Sequence, residues 1–113
     1  SDSPPPVLEG VVFVRKLLEN QSIYQLTASE YLTLIEGCRA IDPDFFVWLK
    51  EKQFEMKPRY IVYCVLIRMG KTKEDMMSIF DINDGNYRTL RSRVRRRLSI
   101  EDEDMETFLK ELH

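Results

Sequence analysis

Residues 61–67, Ile-Val-Tyr-Cys-Val-Leu-Ile, are apolar on every side of a helix. A helix of that kind has no face to offer water, so it must lie at the centre of a fold and be covered all round. Lys57-Pro58 opens it, with proline at the first helical position. Gly70 stands where a C-terminal cap belongs. The 113 residues suit one domain with a core of its own. Three short helices downstream cannot cover 58–69 by themselves, so the segment 28–53 is expected to pack on it and share its core. No run of 18 apolar residues is present, which argues against a membrane span.

The remaining elements read as helices around that centre. Residues 7–19 place Val7, Val11, Val14 and Leu18 on one helical stripe, although Val-Val-Phe-Val is also β-prone. The polar stretch 19–22 breaks it. Thr27 and Glu30 make a capping box for a helix over 28–40, with Tyr31, Leu34, Ile35 and Cys38 inward. Asp42-Pro43 starts another helix running to about Gln53 and loaded with Phe45, Phe46, Trp48 and Leu49. These aromatics suit either a core or a binding groove, and the core is the reading adopted. Thr72 is an N-cap for a short helix through Phe80, with Met76, Ile79 and Phe80 inward. After a tight connection at 81–83, Asp84 is expected to cap a helix that ends at Ser99. Residues 101–112 form a last helix with Met105, Phe108, Leu109 and Leu112 on one stripe. Its first acids, 101–104, suit a helix N-terminus. No strand pattern and no internal repeat is found.

The charge is distributed unevenly. The net charge is only −2, yet residues 57–97 carry eleven Lys/Arg against four acids, between two acidic flanks. Six arginines fall within 86–98: Arg88, Arg91, Arg93, Arg95, Arg96 and Arg97. Tyr87, Leu90, Val94 and Leu98 gather on the opposite side of that helix from Arg88, Thr89, Ser92 and Arg96. Such a helix can bury one face and present the other to a polyanion. Guanidinium groups stay charged and pair with phosphate oxygens or a guanine edge.

Several chemistries are poorly served. Gly70-Lys71-Thr72 lacks the earlier glycine of a phosphate-binding loop, because position 65 is Val65. Residues 81–85 lack the spacing and the final glutamate of a calcium loop, where Ser92 stands instead. Cys38 and Cys64 are isolated and read as small core residues in a reducing compartment. The single histidine is His113, so no nucleophile, base and orienter can be assembled. A non-enzymatic protein without metal or cofactor is expected. The opening Ser-Asp-Ser-Pro-Pro-Pro reads as a linker, as in a fragment of a longer protein.

A helix at 58–69, a short one at 73–80, a turn and a basic helix at 84–98 is the layout of a helix-turn-helix unit, whose second helix lies in the major groove. Residues 56–100 resemble the LuxR-type helix-turn-helix domain. The matches are Pro58-Arg59, Gly70, Lys73-Glu74, Ile82 and the ending Arg95-Arg96-Arg97-Leu98. Leu-Thr-Ala-Ser-Glu-Tyr at 26–31 and the segment 42–52 resemble the extension before this domain in some bacterial sensor regulators, which often carry tetratricopeptide repeats and a membrane helix upstream. The chain departs from the pattern at Met76-Met77, where the family prefers Ile-Ala, at Gly85-Asn86, and at Tyr87 in place of a small Val. A second methionine there is expected to loosen the helix pair.

The resemblance implies an all-α helical bundle with a linker at 1–6, a helical extension at 7–55 and a DNA-binding domain at 56–113. It implies base reading by Arg88, Thr89 and Ser92, the face the helical wheel also selects, and phosphate contacts from Lys71, Lys73, Asn86, Arg91, Arg95 and Arg96. It further implies a homodimer paired through Met105, Phe108, Leu109 and Leu112, although the same stripe would equally close the monomer's core. The function expected is sequence-specific, double-stranded DNA-binding transcriptional regulation, as the cytoplasmic output module of a larger sensor. The alternative is an interaction module whose basic helix docks an acidic partner or the protein's own acidic flanks.

Overall fold

A computed structural model describes residues 6–101 and 104–113. Among them the chain is all-helical, a bundle of seven helices with no strand: α1 (Pro6–Leu18), α2 (Ala28–Ile41), α3 (Pro43–Lys52), α4 (Pro58–Arg68), α5 (Lys73–Phe80), α6 (Asp84–Leu98) and α7 (Met105–Glu111). No helix among these residues is long and apolar enough to cross a membrane. Most of the proline-rich lead-in, the side chain of Val7, and two of the acids at 101–104 lie outside the described residues.

α4 is the axis of the bundle. Tyr60 and every residue from Val62 to Ile67 are buried. α2, α6 and α7 pack against it, and one apolar cluster draws on α1 through α7. The extension and the 58–98 region thus share a core, as the all-round apolar character of 61–67 requires. Gly70 closes α4 with φ +82, a conformation that costs glycine nothing. Thr27 and Thr72 both cap as expected, each accepting from the third residue of its helix, and in α5 Asp75 returns the bond to complete a second capping box.

α1 is helical, but its buried face differs from the expected stripe. Val14 and Leu17 are buried and Phe13 packs against them, whereas Val11 and Leu18 face solvent. The cause is a backbone contact. A Cβ on Gly10 would lie 2.5 Å from the Gly37 nitrogen and the Thr33 carbonyl oxygen, and a Cβ on Gly37 would overlap the Gly10 carbonyl. The two glycines let α1 and α2 cross at backbone distance, and this crossing turns the helix. Leu8 and Val12 are left outside, at 56% and 70% exposure.

α7 is shorter than expected, beginning at Met105. Its stripe serves the monomer. Met105 and Leu109 are fully buried in the shared core, Leu112 is half-buried, and Phe108 stands edge-on to Trp48 with ring centroids 5.5 Å apart. Of the two roles expected of this stripe, Met105 and Leu109 fill the one inside the monomer, with their apolar surface buried against the core around α4. The expected cap at Asp84 is corrected. Asn83 caps α6, its side-chain oxygen accepting the Asn86 N–H at 2.8 Å, and Asp84 is the first helical residue. Met77, the second methionine of α5, packs partly buried against the core.

The glycine contacts generate a paired test. Gly37→Ala should destabilise by about 1–3 kcal/mol, as overpacking does. Gly85→Ala, in α6, meets nothing closer than 3.6 Å and should stabilise by up to about 1 kcal/mol through helix propensity. Urea unfolding midpoints check both signs.

Candidate nucleic-acid interface

The site is built on the outer face of α6, and the burial of its inner face sets which way it points. Tyr87, Leu90, Val94 and Leu98 are all buried, a stripe of spacing three, four and four. Tyr87 sits beside Tyr63 of α4 with the two hydroxyls 3.4 Å apart. Burial, and then this bond, push the Tyr63 hydroxyl well above the usual phenol range. The large Tyr87 side chain is thus accommodated by a partner tyrosine in the central helix.

The opposite side carries the polar groups. Gly85, Arg88, Thr89, Ser92, Arg93 and Arg96 line one shallow depression along α6. The three proposed base readers, Arg88, Thr89 and Ser92, lie together in it, joined by Arg96. Arg93 completes the stripe and was missed. The spacing from Thr89 and Arg96, four residues before and three after, could have found it. Arg88 is 73% exposed and pairs with Asp84 at 3.0 Å, a bond that costs little to open. The Thr89 hydroxyl donates to the Gly85 carbonyl at 3.1 Å. Among the described residues no ion pair engages Arg93 or Arg96.

The expected phosphate contacts divide. Asn86 is exposed in the first turn of α6 but does not line this depression. Lys73, at the start of α5, pairs with Asp84 and lies 5.7 Å from the Tyr87 ring centroid. Lys71 is held by α1: its ammonium donates to the Leu18 carbonyl at 3.1 Å and to Asn20 Oδ1 at 2.6 Å. Arg91 points toward α7, where Glu106 takes its guanidinium at 2.6 and 3.1 Å. Arg95 is half-buried. Asp84, Lys73 and Arg88 thus form one cluster where α5 meets α6, with a single carboxylate between two cations.

Lys73 beside Asp84 holds that carboxyl below the usual carboxylate range, and the bonds from Thr72 do the same for Asp75. Comparison with known protein families, with curated proteins and with solved structures finds no match.

The depressed carboxyls set the sign of an acid effect. Both groups protonate near 3.8 in an unfolded chain and at lower pH in the folded one. Their contribution is present above that pH and is lost as pH falls through it toward the folded value. The urea midpoint should therefore fall on going from pH 6 to pH 3, and the fall should be smaller in Asp84→Asn than in the natural chain.

Proposed function

We propose that this protein is a sequence-specific double-stranded DNA-binding module, in which α6 enters the major groove and α5 braces it against the backbone. The observation that carries the reading is the division of α6: four buried apolar residues on one side, and on the other Arg88, Thr89, Ser92, Arg93 and Arg96 along one open depression. A two-helix unit joined by the short turn 81–83 and set on a third helix is the geometry such recognition needs. Arg88 and Thr89, near the start of the helix, are proposed to read base edges together with Ser92. Arg93 and Arg96, with Asn86 and Lys73, are proposed to hold phosphates. With Met105 and Leu109 committed to the core, the proposed unit is a single protomer. Regulation of transcription, as the cytoplasmic output of a larger bacterial sensor, is the role this reading assigns it.

A second reading has its own support. Arg91 already pairs with Glu106, and Arg88 with Asp84, so carboxylates do dock on this helix. An acidic protein segment would then be the natural partner.

Selection from a random duplex pool, followed by anisotropy titrations over a range of salt, separates the two. The DNA reading expects a preferred site and a steep linear fall of log affinity with log salt. Arg88→Ala should lose about 1–3 kcal/mol on the selected site and relax preference at one base pair, while Arg96→Ala should weaken all duplexes alike and reduce the salt slope by about 1. If neither variant changes duplex affinity, α6 is not the reading helix.

A further inference from the structure

A second concavity lies beside α6 and has a different character. It is a cleft of about 670 Å³ between the loop before α2, the start of α4 and the 80–93 region, within the size range of small-ligand sites. Its apolar walls include Tyr60, Phe80 and Leu90, all buried, and Tyr24 stands at its rim. Three cations border it: Lys57, Arg59 and Arg93, against the single acid Asp81. None of the three forms an ion pair among the described residues. Arg59 lies 5.5 Å from the Phe80 ring centroid and Lys57 lies 5.8 Å from that of Tyr60, so both heads are set against aromatic faces.

Tyr31 lines this cleft, and its hydroxyl is buried with no hydrogen-bond partner among the described residues. Buried polar atoms are nearly always paired, because leaving such a bond unmade is costly. Burial raises this phenol above its ordinary range, against the opposing pull of the Arg59 charge, so the hydroxyl is a neutral donor. A neutral O–H donor and flanking guanidinium groups are complementary to an oxyanion, and the aromatic walls to a flat apolar body.

We propose that this cleft binds a small organic anion, an aromatic phosphate or carboxylate, with Tyr31 donating to the oxyanion, Arg59 and Arg93 neutralising it, and Tyr60 and Phe80 contacting the ring. The proposal differs from the DNA reading in resting on the cleft wall, with Arg93 the one group of the outer α6 stripe that it uses. Thr89 and Arg93 border both surfaces, so the two share an edge.

Phenyl phosphate, with inorganic phosphate alongside it, tests the idea by amide NMR titration of the full chain. Saturable shifts are expected around residues 31, 57–60 and 80–82, with phenyl phosphate binding at least tenfold more tightly than inorganic phosphate. Tyr31→Phe should weaken phenyl phosphate severalfold while leaving the melting temperature unchanged or raised, since no bond is lost. Arg59→Ala should weaken it at least tenfold. Non-saturating shifts spread along α6, equal affinity for the two anions, or Arg59→Ala binding like the natural chain would each overturn the proposal.

Discussion

Arg68 ties the bundle together. It ends α4, and its guanidinium makes a two-bond fork with Asp42 at 2.6 and 2.9 Å, at the junction of α2 and α3. Its third nitrogen donates to the Leu109 and Leu112 carbonyls at 2.6 and 3.0 Å, satisfying acceptors that the end of α7 leaves without helical partners. The Phe45 ring covers the group, and the bond from Asp42 raises the arginine's pKa still further. A lysine could supply the charge but not the planar fork. One side chain thereby fixes the α2–α3 corner and α7 on the same end of α4.

The consequence reaches the candidate interface through α7. Glu106, in the first turn of that helix, takes Arg91 of α6, so α7 is bonded at one end to α6 and at the other to α4. Between these bonds Met105 and Leu109 are sealed into the core. The orientation of the arginine stripe thus rests on the buried side of α6, on the Tyr63–Tyr87 contact and on α7 as a strut. Arg68 and Arg91, which both do structural work, have carboxylate partners 26 and 15 residues away.

That separation explains what the sequence could and could not tell. Local signals were legible: the capping threonines, proline at the start of α3 and α4, Gly70, and the segregated faces of α6 all act within one or two turns. The central place of α4 was legible because no arrangement leaves residues 61–67 wet. The register of α1 was not, since the Gly10–Gly37 crossing is a backbone contact with no hydrophobic signature, and hydropathy favoured Val11 and Leu18. Asn83 and Asp84 are both good capping residues, and only the backbone decides between them. Arg91 looked identical to its neighbours in sequence, because its role depends on where α7 folds back. The Tyr31 cleft is assembled from four separate stretches of chain and leaves no motif.

The loop between α1 and α2 carries one more implication. The Ile23 N–H donates to the Ile79 carbonyl at 2.8 Å and its side chain is buried, while Asn20 reaches Asp75 at 3.1 Å. The extension therefore finishes the end of α5, the helix that braces α6. A recombination event that joined residues 56–113 to a new upstream partner would expose the Ile79 carbonyl and empty the Ile23 socket. The seven helices are accordingly expected to be inherited as one cassette.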